Sequence, residues 1–235
     1  MNCHLTHYNL INFTPTPVIK MFTTSILVLL SLVSLILGAT ASSYDFKFGN
    51  ASLWHSEVTY CNPDNYLTRS YVGYTAGFVP VAKIEDKSKS TFGYIGYQPS
   101  LETIFVTFRG SEDIKNWATN INAISTSYPL CSGCEVHKGF YEAEKAVFPY
   151  ILSQVKALKS KFPTYRVITT GHSLGAALAT LTAFDLQSNG VSPIQVFNYG
   201  SPRVGNTAFA DWASGKLKIT RSTHYKVCGC YNFSL

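Results

Sequence analysis

Apolar positions along the middle of this chain alternate between two spacings. Phe92–Tyr97 and Thr103–Phe108 are short runs rich in aromatic and β-branched residues, joined through Gln98-Pro99-Ser100, and they read as neighbouring strands. Ile104 to Phe108 is nearly continuous apolar sequence, as expected of a strand covered on both faces. From Tyr141 to Lys161 the spacing becomes helical, with Val147, Ile151, Val155 and Leu158 on one stripe. Glu142 and Glu144 then fall in the first turn, and Lys156, Lys159 and Lys161 near the end, matching the helix dipole; Pro149 predicts a kink. A strand over 165–170 follows, then a helix from Leu174 to Ser188 stopped by Asn189-Gly190. A strand at Ile194–Asn198, a short helix near 206–214 and a strand over 218–226 complete the pattern. Strands followed by alternating helix and strand predict an α/β fold: a mostly parallel sheet with flanking helices, its reactive groups at the strand carboxyl ends.

The amino-terminal part does not fit this alternation. Phe22–Ala39 is apolar apart from Thr and Ser, Lys20 is the only charge before it, and Ala39-Thr40-Ala41 offers a small-x-small cleavage site. Residues 1–41 therefore read as a signal peptide, with Met21 as an alternative start and residues 1–20 as an extension. An uncleaved signal anchor is the rival, and the cleavage site favours removal, leaving no stable membrane span. Secretion agrees with cysteine usage. Of six cysteines, Cys61, Cys131, Cys134, Cys228 and Cys230 lie after the cleavage site, an odd number. The Cys131/Cys134 pair sits in a loop, which favours a local structural disulfide over a redox centre. Asn50-Ala51-Ser52 and Asn232-Phe233-Ser234 are glycosylation sequons. With 235 residues, the chain can bury one sizeable core. A net charge of +6 from scattered Lys and Arg argues against nucleic acid as a partner.

The chemistry concentrates where Val167-Ile168-Thr169-Thr170 runs into Gly171-His172-Ser173-Leu174-Gly175. Strand, sharp turn and helix with a serine at the apex form the nucleophile-elbow pattern, in which flanking glycines leave room for a strained turn. The N–H of Leu174, at the helix start, is then one oxyanion donor. Phe108-Arg109-Gly110-Ser111 is the natural source of the second, because a glycine after the strand lets backbone approach substrate.

Four motifs occur in order: Val106-Thr107-Phe108-Arg109-Gly110-Ser111 with Asn116-Trp117; Val136-His137-Lys138-Gly139-Phe140-Tyr141; the elbow; and Tyr199-Gly200-Ser201-Pro202-Arg203-Val204-Gly205. Together they resemble the fungal-type, or class 3, lipase family of the α/β-hydrolase superfamily, over about Cys61 to Lys226. The resemblance implies Ser173 as nucleophile, Ser111 and Leu174 as the oxyanion hole, and Ser111 to Ala123 as a lid with Trp117 suited to lipid. It implies an ester or lipid substrate, no metal and no organic cofactor. The Cys131/Cys134 pair resembles the disulfide of the feruloyl-esterase branch.

His172 and His137 are read as structural, and His55 and His224 have no motif around them. Beyond Lys226 the family pattern calls for an aspartate and, much later, a histidine. Here no aspartate follows Asp211 and no histidine follows His224. Residues 42–226 thus read as a lipase-type domain truncated at its carboxyl end, residues 227–235 as an off-pattern tail, and the triad acid and base as absent. The expectation is a secreted serine ester hydrolase of impaired activity. The alternatives are a feruloyl- or carbohydrate-ester esterase, toward which the Cys131/Cys134 pair leans while the polar lid segment weakens the case for strong activation at lipid interfaces, and a non-catalytic lipid- or partner-binding protein.

Overall fold

A computed structural model describes residues 44–111 and 124–223. The segment expected to be a signal peptide, residues 112–123 of the expected lid with Trp117, His224, and residues 225–235 with Cys228 and Cys230 lie outside the described residues. The chain opens on α1 (Phe46–Val58) and continues through β1 (Val79–Asp86), β2 (Thr91–Gln98) and β3 (Thr103–Phe108). A small hairpin, β4 (Ser125–Ser127) and β5 (Glu135–His137), leads into α2 (Lys138–Lys161). Then come β6 (Arg166–His172), α3 (Leu174–Ser188), β7 (Ile194–Tyr199), α4 (Thr207–Ser214) and β8 (Lys218–Ser222).

Six strands form one sheet in the order β1-β2-β3-β6-β7-β8. The first two pairings are antiparallel, and β3, β6, β7 and β8 run parallel. Residue alternation along each strand divides the core between the two faces. Ile104, Val106, Phe108 and Val167 join the cluster under α2 and α3, whereas Phe105 and Ile168 join Phe48, Tyr94, Phe197 and Tyr199 beneath α1. Helices on both sides of a mainly parallel sheet give the α/β-hydrolase layering that the pattern predicts.

Helix α2 begins three residues before the predicted start, because His137 caps it. The His137 ring Nδ1 accepts from the Phe140 N–H at 3.3 Å and the ring stacks on Phe140. The dipole reading of Glu144 is corrected. Its side chain turns inward and is fully buried between α2 and α3, with Thr182 Oγ1 donating to it at 3.4 Å. Burial, reinforced by the Asp185 charge, pushes its pKa up to about 9. Helix α1 is absent from the sequence reading. Its inward face mixes Phe48 and Ala51 with Ser52, His55 and Ser56, so no sustained apolar period marks it.

Candidate active site

Strand β6 ends at His172 and α3 starts at Leu174, so Ser173 alone makes the turn. It does so at φ 55°, ψ −124°, a backbone region that costs an L-residue about 1–3 kcal/mol. The surroundings hold it there. The Ser173 N–H donates to the Tyr199 carbonyl at 3.0 Å, and the Ser173 carbonyl accepts from the Ala176 N–H at 3.0 Å. A side chain on Gly171 would run into the backbone of Gly175 and Ala176; one on Gly175 would run into the backbone of Phe108 and Arg109. The two glycines therefore let the first turn of α3 rest directly on the ends of β6 and β3. Replacing Ser173 by glycine is expected to raise stability. Relief of the strain exceeds the roughly 0.5–1 kcal/mol that glycine adds to unfolded-state entropy. The net gain of about 1 kcal/mol corresponds to about 2–4 °C in melting temperature; an unchanged or lowered midpoint in thermal denaturation contradicts a strained apex.

Pairing of Phe108 with Gly171 carries Arg109-Gly110-Ser111 alongside His172-Ser173. Gly110, Ser111 and Leu174 line one cleft of about 430 Å³ together with Arg109, His137, Phe140 and Ala143. Leu174 opens α3, in whose first turn the Ala176 N–H is taken by the Ser173 carbonyl. Ser173 is 1% exposed, and its Oγ has no hydrogen-bond partner among the described residues. It does not itself line the cleft, but its neighbour Leu174 does. Arg109 stacks its guanidinium over Phe92 with 4.2 Å to the ring centroid.

Each described histidine has a structural partner. The Tyr60 hydroxyl hydrogen-bonds His172 Nδ1 at 2.7 Å, and burial lowers the His172 pKa, which keeps the ring neutral. His137 caps α2. His55 lies in the α1 core with Nδ1 2.9 Å from the Tyr94 hydroxyl, and burial takes its pKa down to about 3. Tyr60 is a site-adjacent residue absent from the sequence reading; it has no motif around it, and only the fold brings it to His172.

The two aspartates nearest in sequence are placed elsewhere. Asp185 lies 12 residues beyond Ser173, about 18 Å along the helix at 1.5 Å per residue. It accepts from the Tyr128 hydroxyl at 3.0 Å and pairs with Lys145 at 2.7 Å. Asp211 sits on α4. Cys131 and Cys134 form a disulfide that closes the loop between β4 and β5. Asn206 fastens this loop to α4, donating to the Gly133 carbonyl at 3.0 Å and capping the helix through the Phe209 N–H at 2.9 Å. Cys61 is exposed, with its thiol beside Arg69. Among the described residues no group of three or more His, Cys, Asp or Glu side chains could hold a metal ion, and no helix is long and apolar enough to cross a membrane.

This geometry has close counterparts. The secreted mono- and diacylglycerol lipase A of Penicillium cyclopium is 37% identical over 134 residues, 57% of this chain and 44% of that protein. The secreted mono- and diacylglycerol lipase 1 of Fusarium solani is 34% identical over 184 residues, 74% of this chain and 55% of that protein. The chain thus spans about half the length of these curated relatives. Among solved structures, the Rhizomucor miehei triacylglyceride lipase superimposes with a TM-score of 0.72 at 29% identity, covering 78% of this chain and 72% of that one. Residues 105–227, more than half of the chain, match the sequence model of the family Lipase (class 3), so the elbow, the β3 loop and the sheet that carries them place this chain in the class 3 lipase family of α/β-hydrolases.

Proposed function

We propose that the chain is a serine carboxylic-ester hydrolase of lipase type, acting on acylglycerols and exported from the cell. The observation that carries this reading is Ser173: a non-glycine residue held at φ 55° by backbone contacts on both sides, its Oγ unpartnered beside a cleft walled by Gly110, Ser111 and Leu174. A strained apex of this kind aims a nucleophile. Ser173 Oγ attacks the acyl carbonyl as its proton passes to solvent water. The developing oxyanion takes hydrogen bonds from the Leu174 N–H and from the β3 loop at Ser111; its collapse breaks the acyl–oxygen bond, the alcohol leaves with a proton returned from water, and a second water hydrolyses the acyl-enzyme and restores the Ser173 hydroxyl. No metal or organic cofactor enters. The lipid-facing lid is read as the segment through Trp117. The secreted acylglycerol lipases of Penicillium and Fusarium support both the substrate class and the export.

The described histidines and Asp185 are committed to structural contacts, so by this reading none of them is the base or acid that serves Ser173. A feruloyl- or carbohydrate-ester substrate is the second reading, favoured by the Cys131–Cys134 disulfide. Hydrolysis of p-nitrophenyl butyrate by the purified chain and by Ser173→Ala tests the proposal. Turnover above the Ser173→Ala background, however slow, supports it. Equal rates overturn it and leave a non-catalytic binding protein.

A further inference from the structure

The two halves of the presumptive oxyanion site come from different parts of the chain: the loop after β3, and the elbow between β6 and α3. Hydrogen bonds of the parallel sheet hold β3 and β6 together only as far as Phe108 and Gly171. Beyond that register, something else has to set the loop against the elbow. Tyr60, just past the end of α1, stands at that junction. Its hydroxyl lies 2.7 Å from His172 Nδ1, one residue before the nucleophile. The Gly110 backbone lies against the same oxygen. A side chain at Gly110 would collide with that hydroxyl and with the His172 carbonyl, so glycine is needed for the loop to close on both. The Tyr60 and His172 rings also meet edge to face, 5.8 Å between centroids.

In the Nε2–H tautomer of neutral His172 the Tyr60 O–H donates to Nδ1. One hydroxyl thus meets both segments: it is hydrogen-bonded to His172 and lies against the Gly110 backbone. We propose that Tyr60 is a positioning residue for ester hydrolysis, tying the Gly110–Ser111 loop to the elbow so that the two oxyanion donors stay in register. Tyr60 does not touch the reacting atoms; it acts through Gly110 and His172. The catalytic part of this proposal rests on the ester-hydrolase reading above, whereas the tie itself does not.

Tyr60→Phe in the full chain keeps the ring and removes the tie. Amide hydrogen exchange at Gly110 is expected to accelerate at least tenfold, with Ile168, in the middle of β6, unchanged. The His172 Nδ1 resonance is expected to shift as its donor is lost. Steady-state kinetics on p-nitrophenyl butyrate are expected to show kcat lowered about 10- to 100-fold, below the full effect of deleting an oxyanion donor, with KM within about twofold. Unchanged exchange at Gly110 overturns the proposal, as does an equal acceleration at Gly110 and Ile168, which signals general loosening. Unchanged kcat in a chain with Ser173-dependent turnover also overturns it. If the parent chain shows no Ser173-dependent turnover, the ester-hydrolase reading fails, and the exchange and His172 signals alone decide whether Tyr60 ties the loop to the elbow.

Discussion

Gly175→Ala is expected to destabilise the protein by about 2–3 kcal/mol, although helix propensity alone predicts the opposite sign. Gly175 is the second residue of α3, and in an exposed helix alanine is favoured over glycine by about 1 kcal/mol. Here the position faces backbone. An added Cβ would sit 2.8 Å from the Phe108 carbonyl carbon and 2.9 Å from the Arg109 carbonyl carbon, closer still to the Phe108 oxygen. Backbone cannot rotate out of the way as a side-chain tip can. Either α3 lifts from the sheet or the β3 loop is pushed outward; because backbone must move, the overpacking cost is about 3–4 kcal/mol, at or beyond the upper end of the usual range, and outweighs the propensity gain. Thermal denaturation should show a fall of about 4–10 °C. Since the displaced loop carries Gly110 and Ser111, Ser173-dependent ester hydrolysis should fall with it. A stabilised Gly175→Ala protein would show that α3 does not rest on β3 as described.

The second large effect concerns pH. Glu144 is fully buried against α3, and the groups facing it are the Asp185 carboxylate and Thr182 from α3, Lys145 from its own helix, and Tyr128 from the β4–β5 hairpin. Burial first, and the Asp185 charge second, take its pKa from 4.5 up to about 9, with Lys145 pulling the other way. The folded protein thus holds a proton on Glu144 that the unfolded chain releases above pH 4.5. Stability from this group is complete below that pH and declines as pH rises through the window up to about 9, by at most about 1.4 kcal/mol per unit. Glu144→Gln removes the titration while keeping shape and a hydrogen-bonding amide. At pH 8 the variant is expected to be more stable than the parent by about 2–4 kcal/mol, or roughly 5–10 °C, with the difference shrinking to near zero below pH 5. Melting curves across pH 4–9 check this. A constant offset between the two proteins at every pH would mean that Glu144 does not titrate on unfolding.

These two positions mark how far sequence reasoning reached. The parallel strands and helices α2, α3 and α4 were legible because burial from one or both sides imposes an apolar pattern, and the elbow because a strained turn demands small residues around its apex. The family motifs, each a few adjacent residues, were legible for the same reason: their chemistry is local. Helix α1 was not, since its buried face mixes Phe48 and Ala51 with polar residues, Ser56 Oγ donating to the Ser52 carbonyl and meeting Thr170 on β6. Glu144 was read only as a first-turn acid that suits the dipole of α2, and nothing local reveals that α3 covers it.

Local chain chemistry was enough for the fold class, the family and the serine at the apex of its turn, since strand, turn and helix are specified within a few residues. Three things required the folded chain: the meeting of Gly110 with the elbow, the hydroxyl of Tyr60 between them across 112 residues from His172, and the burial of Glu144 against Asp185. Each depends on how distant segments pack, and packing changes both the space open to a side chain and the cost of a charge.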